Sequence, residues 1–207
     1  MRDFDHLVYA SPDLERGIAE LEKLLGVRAT PGGQHLGRGT RNALIALGPD
    51  SYIEIIAPDP EQPAPFAPRW MGVDDLTFSR LITWAAKGTD LENVRANLAQ
   101  RGVALGRISS GSRTRPDGVQ LSWQLTDPQP LIGDGIIPFF IDWGDSPHPA
   151  QSAATGASLV SLRAEHPDAT HVGRMLAALG LELTVTNGSR AALIATIDGP
   201  RGRVELR

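Results

Sequence analysis

The sequence predicts an α+β fold of three βαβββ modules, with mixed sheets curled into a cup and the helices outside. Three observations carry this expectation. A strand, turn, helix and glycine stop occur in the same order three times. The spacing from an aspartate to the closing glycine is nearly constant, 13 residues from Asp13 to Gly26 and 12 both from Asp90 to Gly102 and from Asp168 to Gly180. Short strand-like runs separated by turn residues follow each helix. The resulting boundaries are 1–60 for the first module, 78–145 for a second that pairs with it, and 155–207 for a third, abbreviated one.

In the first module a strand through His6-Leu7-Val8-Tyr9-Ala10 leads to a helix whose Leu14, Ile18, Leu21 and Leu25 fall on one stripe. Ser11 is the expected N-cap, with Pro12 at the first helical position, and Gly26 supplies a left-handed stop. Strands follow near 27–31, 40–48 and 51–57. In the second module, Thr89 and Glu92 form a capping box ahead of the stripe Leu91, Val94, Leu98, and Gly102 ends the helix. Its strands fall near 104–111, 118–126 and 136–143. The third repeats the pattern with Val172, Met175, Leu176 and Leu179, then Gly180, and strands near 181–186, 190–197 and 203–207.

Each helix hides one face of its sheet, so the other face lines a cavity or meets a second sheet. Three modules leave one face open, because Leu159, Leu162, Leu193 and Ile194 of the third are apolar. A second copy of the chain across a two-fold axis is expected to cover it, giving a homodimer. The competing arrangement pairs the first module with the third and brings Glu205 near His6 and Glu54.

Composition narrows the function. Twenty Lys+Arg against 24 Asp+Glu give a net charge of -4, too little positive charge to release counterions from a nucleic acid. The absence of cysteine excludes disulfides, thiolate metal sites and a cysteine nucleophile. The charged start and the lack of about 18 consecutive apolar residues predict a cytosolic chain with no membrane partner. Eighteen arginines to two lysines, with many Ala, Gly and Pro, suggest a GC-rich bacterial coding sequence.

Several stretches resemble one superfamily. They are Asp5-His6-Leu7-Val8, the run Gly32 to Leu44 containing Gly39-Thr40-Arg41-Asn42, Tyr52-Ile53-Glu54-Ile55-Ile56, Ser112 to Gly118, and Pro138 to Trp143 with His148-Pro149 beyond. They are similar to the vicinal oxygen chelate superfamily, and more narrowly to glyoxalase-like domain proteins; bleomycin-resistance-like proteins share the modular fold. The resemblance implies that metal ligands come from the first and last strands of paired modules. His6 and Glu54 match in the first module, whereas the second offers Thr83 and Phe139 or Phe140, which are poor ligands.

His35 in the glycine-rich run completes a His6, His35, Glu54 set suited to Fe, Mn, Zn or Ni, with positions left open for a substrate bearing two adjacent oxygens. Glu54 is the expected catalytic residue, since a carboxylate in an apolar strand must be paired, protonated or facing water. Alternation puts His6 with Phe4 and Val8, and Glu54 with Tyr52 and Ile56. Arg113, Arg115, Trp84, Trp123 and Asn42 are the expected substrate-binding residues, the two arginines as a clamp on a carboxylate or phosphate. Glu205, between Arg203 and Arg207, reads as an exposed ion pair, and His148, His166 and His171 as surface residues.

Three functions fit: a metal-dependent lyase, isomerase or dioxygenase acting on a small oxygen-bearing metabolite, a metal-free protein of the same fold that binds a small planar or aromatic ligand, or a structural regulatory module with no ligand.

Overall fold

The two central strands of the molecule, β1 (Phe4–Ala10) and β5 (Arg80–Lys87), run antiparallel, and around them the first two units build one sheet. The first unit continues with α1 (Leu14–Leu25), β2 (Thr30–His35), β3 (Thr40–Gly48) and β4 (Ser51–Pro58). The second adds α2 (Leu91–Gln100), β6 (Ile108–Thr114), β7 (Gln120–Thr126) and β8 (Phe139–Asp142). The computed structural model describes residues 3–66, 68–115 and 117–207. Met1, Arg2, Ala67 and Pro116, the last from the predicted turn before Gly118, lie outside the described residues.

The strand order is β2-β3-β4-β1-β5-β8-β7-β6, with β1 parallel to β4 and β5 parallel to β8. Each half therefore has the same internal pairing. The sheet curls until its edges approach each other: Arg113 on β6 donates to the Gly32 carbonyl on β2. A Cβ on Gly33 would lie 3.0 Å from the Thr114 carbonyl, and its φ of 145° is one that side chains disfavour, so this seam needs glycine.

The aspartates that define the repeat are the actual helix N-caps. Asp13, Asp90 and Asp168 accept from the backbone N–H of Arg16, Asn93 and His171. Ser11 and Thr89 do not cap; Ser11 Oγ instead donates to the Asp13 carbonyl. Strands β2 and β6 begin later than the apolar pattern suggests. Val27, read as a strand residue, and Val103, just ahead of the strand expected near 104–111, are buried loop anchors of the core. Ile136 and Ile137 play the same part before β8, following a short 3-10 turn at Ile132–Gly135.

The third unit comprises β9 (Ser158–His166), α3 (Ala169–Ala178), β10 (Thr184–Asn187), β11 (Ala192–Gly199) and β12 (Gly202–Leu206). Its separate sheet has the order β10-β9-β11-β12, so its first strand sits inside rather than at the end of the module, unlike the first two. One face of it, with Ala164, Leu193, Ala195, Ile197 and Leu206, packs into the same core as α1, α2 and the outer side of the large sheet. Backbone bonds from Arg201 to Leu25 and from Leu81 to Arg207 tie it there.

The apolar side expected to need a second copy is thus largely covered within the chain. The opposite face carries Arg163 and Arg207 paired with Glu165 and Glu205. Glu205 is consequently far from the pairing with His6 that the competing arrangement required. Among the described residues no helix is long and apolar enough to cross a membrane.

Trp84, expected to bind substrate, points to the helix side instead. It pairs across the strands with Leu7, is fully buried, stacks on Phe4 and donates to the Ile136 carbonyl at 2.8 Å. Trp84→Phe keeps most of the ring but leaves that carbonyl unpaired, so a stability loss of about 1–3 kcal/mol is expected. Urea denaturation followed by circular dichroism measures it; an unchanged midpoint would mean that the bond contributes nothing.

Candidate functional site

Strand alternation turns His6 of β1, Asn42 of β3 and Glu54 and Tyr52 of β4 to the concave side, and these strands are neighbours in the sheet. Together with His35 and Arg113 they form the polar part of a cavity. Trp123, Phe139, Leu125 and Ile141 from the second unit form its apolar wall. Trp70 and Met71, in the 3-10 turn Trp70–Asp75 that joins the two units, close it further.

Glu54 is 7% exposed. Its Oε1 accepts from Asn42 Nδ2 at 2.6 Å, and its Oε2 faces His6 Nε2 at 3.7 Å. The His6 ring is fixed from behind: Nδ1 donates to Asp5 Oδ1 at 2.6 Å, which turns Nε2 toward Glu54 and the cavity. Tyr52 stacks on the same ring with centroids 4.5 Å apart. Burial pushes the Tyr52 phenol well above its ordinary pKa, so it remains a neutral hydroxyl.

Asp5 is fully buried and organises a second set of residues. Besides His6 it accepts from Trp143 Nε1 at 3.2 Å and His148 Nε2 at 3.2 Å. His148 Nδ1 accepts from the Ala150 N–H, which leaves the proton on Nε2 for Asp5. Burial raises the Asp5 carboxyl, but hydrogen bonds and charge from His148 and His6 more than offset this and hold it at about 2. His148, expected at the surface, is a partly buried member of this network. A register shift between Phe4 and His6 accounts for the arrangement: Phe4 packs with the helix-side core, and Asp5 comes round to serve His6.

His35 is brought to Glu54, with Nε2 3.7 Å from Oε1. Its ring is already committed: Nδ1 meets Thr40 Oγ1 at 3.0 Å, and Nε2 lies 3.2 Å from Asn42 Nδ2. Burial lowers its pKa and keeps it neutral, so Asn42 donates to Nε2 and His35 donates to Thr40. The three predicted metal ligands therefore converge without forming a ligand cage. Among the described residues no group of three or more His, Asp or Glu side chains is disposed to hold a metal ion. The second unit places Thr83 opposite Val8, and the Phe139 ring lies edge-on to His6 where further ligands would stand.

Of the predicted substrate-binding residues, Asn42, Trp123 and Arg113 line the cavity. Arg115 does not: it pairs with Asp117 beyond the end of β6, beside an outer groove. Sequence reasoning missed Tyr52, Trp70, Met71 and Phe139 as lining residues and Asp5 as the anchor of His6. The alternation shared by Tyr52 and Glu54 was a usable signal for the first of these. The proline-rich linker gave none for Trp70.

A family model described as a glyoxalase-like domain matches residues 4–180. The structure is similar to the crystal structure of a hypothetical protein from Staphylococcus aureus, with a TM-score of 0.64 and 17% identity over 98% of this chain and 83% of that one. Methylmalonyl-CoA epimerase from Mycobacterium tuberculosis is similar at a TM-score of 0.46 and 20% identity, over 69% and 88% of the two chains. The epimerase of Streptomyces coelicolor gives 0.46 and 18%, over 71% and 98%. No curated protein matches the sequence.

Proposed function

Because this chain belongs to the glyoxalase-like domain family, built on the vicinal oxygen chelate fold, we propose that its cup binds a small, flat, oxygen-bearing metabolite. Glu54 is the group that accepts that ligand's proton. One observation carries the reading: a buried carboxylate has one oxygen held by Asn42 and the other turned to an aromatic cavity, where among the described residues no donor lies within hydrogen-bond distance of it and His6 Nε2 stands 3.7 Å away. A buried carboxylate oxygen without a donor of its own takes one from a ligand, and a ligand hydroxyl or an acidic C–H supplies it.

The roles of the other groups follow from their bonds. Asn42 fixes the plane of the Glu54 carboxylate and satisfies one of its oxygens in an apolar setting. His6, oriented by Asp5, presents its Nε2 to the same side of the ligand. The Tyr52 hydroxyl is a neutral donor, and the walls of Trp123, Phe139 and Trp70 exclude water and stack on a planar body.

The donor set does not fit a resident Fe, Mn, Zn or Ni ion. The His35 lone pair is taken by Asn42, and only His6 and Glu54 remain as free donors, so the metal-free reading is preferred.

Calorimetric titration of the chelator-treated protein with catechol, a flat neutral molecule with two adjacent oxygens, tests this. Saturable binding of one molecule per chain is expected, and Glu54→Gln weakens it about tenfold, the difference between a charge-assisted and a neutral hydrogen bond. Binding that appears only after Mn²⁺, Ni²⁺, Zn²⁺ or Fe²⁺ is added would overturn the metal-free reading, as would an unaffected Glu54→Gln protein.

A further inference from the structure

We propose that the ligand of this cavity is a hydroxy monocarboxylate with an unsaturated or aromatic body, its carboxylate bound by Arg113 at the seam between β2 and β6. This rests on the reading of Glu54 above and adds the charge and the class of the ligand to it.

The first ground is an uncompensated cation. Arg113 is 4% exposed and lines the cavity. It donates to the Gly32 carbonyl, a neutral acceptor, and no carboxylate lies within 4 Å of it among the described residues; Glu54 is held by Asn42, and Asp117 pairs with Arg115. A guanidinium taken out of water without an anion is costly. One backbone carbonyl uses only part of its donor fork, and the planar remainder matches a carboxylate.

The second ground is independent of the charge. Trp70 lines the same cavity, is 8% exposed, and its indole Nε1 is buried with no partner. Trp70 is held by Arg38, whose guanidinium stacks over its ring at 4.3 Å. A donor left unpaired in a lining residue is a group waiting for an acceptor, and a bound oxyanion provides one.

The two poles then define the ligand. Arg113 is the one permanently cationic side chain among the lining residues and Glu54 the one carboxylate, and they do not touch. A molecule that satisfies both has one negative oxygen group and, a short distance away, a hydrogen to give. A second negative charge would meet Glu54, which disfavours dicarboxylates and phosphate monoesters. The apolar walls and narrow space favour a flat body.

Calorimetry with salicylate and its neutral isostere salicylamide tests the charge claim, and catechol keeps it separable from the Glu54 reading. The wild type should bind salicylate at least tenfold more tightly than salicylamide. Arg113→Gln should remove that preference while leaving catechol affinity within about twofold. Arg115→Ala, with its side chain paired outside the cavity, should behave as wild type toward all three. Since Arg113 also fastens the seam to Gly32, Arg113→Lys serves where the glutamine variant fails to fold, and it should keep part of the preference. Equal affinity of the wild type for salicylate and salicylamide overturns the proposal while catechol binding leaves the Glu54 reading standing. Equal losses for all three probes in Arg113→Gln would make the arginine a seam residue only, and a larger loss in Arg115→Ala would move the anion to the outer groove. No binding of any probe would overturn both.

Discussion

A chain ending at Ala150 is expected to lose its folded state, although it retains both units that build the cup. The third unit places Leu193, Ile197 and Leu206 against the outer side of the large sheet and α1, all in one continuous core. Each buried aliphatic side chain contributes about 1.5–3 kcal/mol. Removing these three also uncovers the side chains beneath them, so the loss is comparable with the whole net stability of a domain, about 5–15 kcal/mol. Backbone bonds are lost as well: Leu81 no longer donates to Arg207, nor Ala46 to Ala154. The truncated protein should bind a hydrophobic dye, give a weak near-ultraviolet dichroism spectrum and unfold without a cooperative transition. A sharp transition within a few degrees of the full chain would show that the first two units form an independent core.

That dependence was not legible in the sequence, and the reason is physical. Periodicity reports which side of an element is apolar, not which partner covers it. Leu159, Leu162, Leu193 and Ile194 announced an apolar third unit, but its strand order differs from that of the other two, and only the three-dimensional pairing shows that its partner is the helix side of the same chain. The helices and the repeat were legible because stripes and caps are local. The meeting of His6, Asn42 and Glu54 followed from alternation on neighbouring strands. Phe4 was misplaced because a bulge, which leaves no mark in the residue pattern, shifts it to the other face. The same bulge, together with partners more than a hundred residues away, hid the role of Asp5. Trp84 was the avoidable miss, because alternation from Thr83 already turns it away from the cavity.

Asp5→Ala should cost about 3–5 kcal/mol, the range for removing one partner of a buried charged cluster. Three donors lose their acceptor at once: His6 Nδ1, Trp143 Nε1 and His148 Nε2. The effect should extend beyond stability. Without Asp5 nothing fixes the His6 ring, so its Nε2 is no longer held toward Glu54 and the cavity, and catechol affinity should fall even under conditions where the variant is fully folded. The acid limb of the stability curve supplies an independent reading. The folded pKa of about 2 lies below the ordinary value of 3.8, so the unfolded chain binds more protons between these values and stability falls as pH drops through that window. A shift of this size corresponds to roughly 2 kcal/mol, fully present above about pH 5 and lost on approaching pH 2. Urea denaturation of wild type and Asp5→Ala from pH 6 to pH 2 should therefore give curves that converge toward acid, because protonation removes from the wild type much of what the substitution has already taken from the variant. Parallel curves with a constant gap would mean that Asp5 stabilises the fold by packing and that its charge contributes nothing.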